Sequence, residues 1–183
     1  LVNMQYIHRY NTLLIKRPYT TKCITCAFIG AIGNCLSQYV ERKQKNQSFS
    51  GNFDTKQCAN MALFGSAYVA PVLHNWYGVL ERFFPQQGVK STLLKVSFDQ
   101  TFFASFMIAS FMIGLSALNG ESFEKGFSKF KEHYWEAILV NWKIWPLVMV
   151  LNFRLVPLQF QVLFVNFVAI FWNAYLSYVT NSN

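Results

Sequence analysis

Charge is what this sequence has least of. Only 13% of its 183 residues are Asp, Glu, Lys or Arg, against about a quarter in an ordinary soluble domain. A water-facing globule needs that charge for its surface, so composition argues against one. A chain whose outer surface meets lipid has no such need. Acidic residues are scarcer still: 8 against 16 basic ones, none of them before Glu41, whereas Arg9, Lys16, Arg17 and Lys22 precede it. A basic, acid-poor start of this kind resembles what organelle import uses.

Chemistry-bearing constellations are equally sparse. The four cysteines are Cys23, Cys26, Cys35 and Cys58. Cys23-x-x-Cys26 is a weak metal or redox signal, because zinc takes four ligands and no histidine lies close by. Small thiols packing between helices are expected instead. No strand is predicted, so no glycine-rich phosphate loop can follow one. No serine or cysteine has a histidine and carboxylate assembly. No enzymatic activity, cofactor or metal is therefore expected. The net charge of +8 is spread thinly, without the basic and aromatic clustering of a nucleic-acid groove. It reads as contact with anionic lipid headgroups, which makes membrane lipids the expected partner and nucleic acid an unexpected one.

What is present is apolar length. Hydrophobic residues make up 53% and aromatics 18%, and four segments have the roughly 20 residues that cross a bilayer core. They lie at about 20–40, 57–84, 93–118 and 157–178. Each carries a stripe of small or weakly polar residues at helical spacing. Ala27, Gly30, Gly33, Asn34 and Ser37 mark the first, and Ala59, Ala62, Ser66 and Ala70 the second. Ser97, Thr101 and Ser105 mark the third, and Asn166, Ala169, Asn173 and Ser177 the fourth. Such stripes let helix backbones approach closely in lipid.

Between the third and fourth spans, Phe123, Phe127, Phe130, Tyr134 and Ile138 form one apolar stripe among Glu and Lys. This predicts an amphipathic helix over 121–139, suited to the interface plane. Trp145-Pro146 and Val156-Pro157 then predict a short, broken helix leading into the last span. Trp142, Trp145 and Trp172 are candidates for aromatic belts. The fold class expected is all-α: one integral membrane domain over 1–183, a bundle of four transmembrane helices with an interfacial amphipathic helix between the third and fourth.

The C-terminal punctuation carries a resemblance. Asn141-Trp142-x-x-Trp145-Pro146, Asn152-Phe153-x-x-Val156-Pro157-Leu158 and Trp172-Asn173-x-Tyr175-Leu176-Ser177 resemble the signature of the Mpv-seventeen family, which includes the twenty-two-kilodalton peroxisomal membrane protein. Upstream, Tyr10, Leu14, Pro18, Thr25, Gly33, Ser37-Gln38, Pro71-x-x-His74-x-Trp76-Tyr77-x-x-Leu80, Asp99-Gln100 and Leu118-Asn119-Gly120 continue it. The resemblance implies a four-span bundle in the mitochondrial inner membrane or, alternatively, the peroxisomal membrane. It also implies a pore-like, non-enzymatic role affecting small-solute permeability, with no cofactor. The chain departs from the family pattern at Asn34, Gln161, Ala70 and Ser105; the first two replace charges, consistent with a lost ion pair.

Asn34, Gln38, Asp99, Gln100, Asn166 and Asn173 are the residues expected to form a polar bundle interior. A carboxylate within a span costs about 3 kcal/mol unless partnered, so Asp99 is paired in expectation with Arg154, or with Lys95. His74 is a candidate pH sensor, with a structural hydrogen bond as the simpler reading. Two roles follow: a pore-like permeability protein, or an accessory subunit of a large inner-membrane assembly such as a respiratory-chain complex. Association as a homo-oligomer is compatible with the first.

Overall fold

The computed structural model describes residues 2–45, 53–86 and 88–180. Its regular structure among these residues is helical throughout: α1 (Val2–Lys16), α2 (Pro18–Gln44), α3 (Thr55–Phe64), α4 (Ala70–Phe83), α5 (Val89–Phe98), α6 (Ala104–Leu118), α7 (Phe123–Leu155) and α8 (Leu158–Thr180). Five-residue π-helical turns, Gly65–Val69 and Asp99–Phe103, join α3 to α4 and α5 to α6. Three helical stretches are long and apolar enough to cross a membrane: Pro18–Gln44, Val89–Leu118 and Phe123–Leu155. Leu158–Ala174 is a shorter apolar helix. The segment expected to span at 57–84 is helical but falls outside that set, because Asn60, His74 and Asn75 dilute its apolar residues.

The chain divides into two compact units, Leu1–Trp76 with Leu158–Asn183, and Tyr77–Pro157. In the first, Pro18 opens α2 at the position where its missing N–H is not needed. α3 and the π turn after it run antiparallel along α2, and two glycines set the closeness of that pairing. A Cβ on Gly30 would lie 2.9 Å from the Met61 carbonyl oxygen, and one on Gly65 would lie 2.9 Å from that of Cys26. The backbones therefore meet where any side chain would separate them. α8 packs along α2 in the same direction. Thr25 bonds the Tyr10 hydroxyl at 2.9 Å, the Tyr10 ring neighbours Phe160, and further along α2 Gly33 faces Ile170.

In the second unit, α5, its π turn and α6 form one limb of an antiparallel hairpin and α7 forms the other. The turn uses Gly120, whose φ of 84° lies in the left-handed region that glycine adopts without strain. Ser122 caps α7 by accepting from the Lys125 N–H. Close packing follows at Gly126, where a Cβ would stand 3.1 Å from that of Ser116. Tyr134 donates to Ser105 at 2.9 Å, and Asn141 donates to Gln100 at 3.0 Å. The two limbs thus stay in register over most of their length.

This hairpin differs from the expected pattern at two places. The amphipathic segment at 121–139 is the first half of a 33-residue helix, Phe123–Leu155; the later part of its stripe meets α6, with Tyr134 bonded to Ser105 and Ile138 buried, while Phe123 and Phe127 are exposed. Pro146 also sits inside that helix without ending it. A membrane-type environment offers freed backbone groups no competing water, which favours continuing the helix past a proline. Val156-Pro157 does end it, with Val156 extended at φ −98° and ψ 123°, as the residue before proline prefers.

At the hairpin tip, Glu121 bridges Lys125 at 2.8 Å and Lys129 at 2.6 Å. Hydrogen bonds from Lys125, then Lys129, then Ser116 hold its carboxyl down to about 2, against an ordinary 4.5. A depressed value means the stabilisation is present above pH 4.5 and lost as pH falls through the folded value. Glu121→Gln is therefore expected to differ from wild type by a constant amount above pH 4.5. The two should converge as pH drops toward 2, in unfolding titrations run in detergent.

Candidate functional site

Two polar clusters are built into these apolar helices. In the first unit, Asn34 and Gln38 occupy successive turns of α2, both buried. Gln38 Nε2 donates to Asn34 Oδ1 at 2.8 Å and to the Asp54 carbonyl at 3.0 Å, and Gln38 Oε1 accepts from the Asp54 N–H at 3.0 Å. Asp54 itself caps α3 through the Gln57 N–H at 2.8 Å. Cys58, buried on the next turn, donates from Sγ to Asn34 Oδ1 at 3.0 Å. The amides thus tie α2 to the start of α3.

In the second unit, Asp99 and Gln100 are buried in the π turn. Gln100 Nε2 donates to Asp99 Oδ2 at 2.8 Å, and Gln100 Oε1 accepts from Asn141. The Gln100 carbonyl accepts from the Trp142 indole at 3.1 Å; a π turn's wider hydrogen-bond pattern leaves carbonyls available for such a contact. One polar residue therefore meets three groups. Asn141→Leu is expected to cost about 1 kcal/mol, read as a lower unfolding midpoint in mixed micelles, because Gln100 Oε1 would be left without its donor.

The remaining expected site residues lie apart from these clusters. Arg154 is exposed near the C-terminal end of α7, and no ion pair joins it to Asp99. The hairpin register explains this. Asn141 is level with Gln100, and Arg154 lies 13 residues beyond Asn141, about 20 Å further along the helix. Lys95 is buried and paired with Glu81, a partner whose identity depends on a separate helix. Asn166 bonds its own helix, donating to the Val162 carbonyl at 2.8 Å, and Asn173 is half-buried on α8. His74 takes a structural contact. Its Nδ1 lies 2.7 Å from the Nζ of buried Lys22, and the Tyr19 ring stands edge-on at 4.3 Å. An ammonium can only donate, so Nδ1 is the acceptor. No group of three or more His, Cys, Asp or Glu positioned to hold a metal occurs among the described residues.

The charged side of α7 did not stand out as a site in the sequence. Glu124, Lys125, Lys129, Lys131, Glu132, His133 and Glu136 are all exposed, with Lys131 lying 4.7 Å over the Phe127 ring. The contacts at Gly126 and Tyr134 place this half of α7 abreast of α6, Ala104–Leu118, which contains no charged residue. The sequence signal was the stripe itself. Which part of the stripe is covered, at Tyr134 and Ile138 and not at Phe123, depended on the hairpin.

Residues 116–177 match the Mpv17 / PMP22 family. The chain is 35% identical over 180 residues to Protein SYM1 of Saccharomyces cerevisiae, covering 96% of this chain and 90% of the relative. It is 32% identical over 171 residues to Peroxisomal membrane protein 2 of Bos taurus, covering 93% and 87%. It is 34% identical over 170 residues to Mitochondrial inner membrane protein Mpv17 of Homo sapiens, covering 92% and 94%. No solved structure matches it. With that likeness running through nearly its whole length, and a helical architecture of membrane-spanning dimensions beneath it, the chain belongs to the Mpv17 / PMP22 family of membrane proteins.

Proposed function

We propose that the protein is a pore-like protein of the mitochondrial inner membrane that passes small polar solutes, with the charged face of α7 lining the aqueous path. The observation that carries this is the register of the hairpin. If α6 crosses the hydrocarbon, the charges at 124–136 lie at hydrocarbon depth beside it. A charged side chain there costs about 3 kcal/mol or more unless it meets water or a partner. Lys125 and Lys129 have Glu121 as their partner; the other five, exposed at that depth, call for a water-filled space beside them. Because they are exposed on a single chain, a second copy closes that space.

Five crossings are proposed rather than four: the three long apolar stretches Pro18–Gln44, Val89–Leu118 and Phe123–Leu155, together with the helical stretch at 55–83 and α8. Five alternating passes return α8 in the direction of α2, and the parallel packing of these two helices supports that count. The compartment rests on relatives named as mitochondrial inner membrane proteins, with the peroxisomal membrane as the other member address. Planar-bilayer recording on purified protein tests the role. Discrete conductance steps are expected. A silent bilayer at every potential and pH tried, with protein shown to be inserted, would end the proposal.

A further inference from the structure

Cys35 on α2 and Cys58 on α3 bring their sulfur atoms to 3.5 Å. Both thiols are free. A disulfide bond is about 2.05 Å long, so side-chain rotation needs to close about 1.5 Å between helices whose backbones are already held together by Gly30 and Gly65.

The surroundings suit the chemistry. Cys58 lies in the first turn of α3, where its S–H points to Asn34 Oδ1 at 3.0 Å. Gln38 Nε2 is also directed at its sulfur, 3.5 Å away. An open hollow of about 230 Å³, lined in part by Gln38, Asp54 and Gln57, lies at the cluster's edge. Cys35 is half-exposed and Cys58 buried, which orders the reaction. Asn34 tolerates the change: when Cys58 loses its S–H, Asn34 Oδ1 still accepts from Gln38 at 2.8 Å.

We propose that Cys35 and Cys58 are an oxidation site, closing under a peroxide to a disulfide that fastens α2 to α3. Cys35 reacts first: its sulfur takes oxygen from hydrogen peroxide, giving a sulfenic acid and one water. The Cys58 sulfur then attacks the Cys35 sulfur, the S–O bond breaks, an S–S bond forms, and the hydroxyl leaves as a second water with the Cys58 proton. Two thiols are oxidised by two electrons in all, and one peroxide is reduced. The closed loop spans 23 positions of sequence, so the bond restricts the unfolded chain and raises the unfolding temperature by several degrees. This site is independent of the pore reading.

The test uses the full chain in phosphatidylcholine nanodiscs, treated with millimolar hydrogen peroxide, alkylated, and digested without reduction for mass spectrometry. The expected result is a fall from four alkylatable thiols to two, with one linked peptide pair containing Cys35 and Cys58. Dithiothreitol should restore all four thiols and cancel the rise in unfolding temperature. Cys35→Ser should abolish both the link and the thermal shift. The wild-type peptide map decides by itself if that variant does not fold. Four thiols surviving oxidation, a Cys23–Cys26 link, or a link between two chains would each overturn the proposal.

Discussion

Alanine at Gly30 or Gly65 is expected to destabilise the protein by about 1–3 kcal/mol, a large loss for adding one methyl group. The added carbon would stand 2.9 Å from a backbone carbonyl oxygen in each case, Met61 for Gly30 and Cys26 for Gly65. A flexible side chain could swing away from such a contact, but a helix backbone cannot, so the two helices must part along a shared seam. That seam also carries the hydrogen bonds of Asn34, Gln38 and Cys58, which would lengthen together. Gly78 supplies the control. It has nothing within 4 Å of its would-be Cβ, so Gly78→Ala should raise stability by roughly 0.5–1 kcal/mol through helix propensity alone. Unfolding by sodium dodecyl sulfate in mixed micelles, followed by tryptophan fluorescence, measures all three. Equal effects at Gly30 and Gly78 would remove the close-packing argument.

Charge substitution on α7 should change ion selectivity with little change in folding. Lys131 and Glu132 are both exposed on the face assigned to the aqueous path. In a narrow, low-dielectric passage, a ring of one sign attracts the opposite ion and repels its own. Lys131→Glu should therefore move the reversal potential toward cation preference under a salt gradient, and Glu132→Lys toward anion preference. If two copies line the path, each substitution acts there twice. Reversal potentials that stay fixed in both variants, with conductance intact, would place the path elsewhere.

Much of the fold was legible in the sequence because apolar length is a property of a segment by itself. The stretches at 20–40 and 93–118 lie inside Pro18–Gln44 and Val89–Leu118, and the stop before Pro157 follows from what proline does to its neighbour. The stripe at Phe123, Phe127, Phe130, Tyr134 and Ile138 was legible as a helix face. However, the same 3.6-residue period serves a helix lying on a membrane and one packed along another helix, and only the contacts at Gly126 and Tyr134 separate them. Pro146 was a poor guide for a related reason. A proline marks a local cost, while the packing that offsets it comes from residues distant in sequence.

The polar clusters divide along the same line. Asn34 and Gln38 share a stripe on one helix, so their proximity could be read directly. Their partners Asp54 and Cys58 come from the next helix and could not be. Asp99 and Arg154 are opposite charges in apolar company, which made them natural partners. Pairing needs a shared level along the hairpin, and Asn141 and Trp142 hold the level of Gln100 instead.

The passage of α7 through the bilayer is the point on which this account turns, and the sidedness of its two ends measures it directly. Single cysteines placed at Ser122 and at Gln159, just outside the two ends of α7, can be tagged in sealed vesicles with a membrane-impermeant maleimide. Peptide mapping distinguishes them from the native thiols. Protein in vesicles of uniform orientation should be labelled at one of the two positions from outside and at the other only after the vesicles are opened. Labelling of both from the same face would show that α7 does not cross.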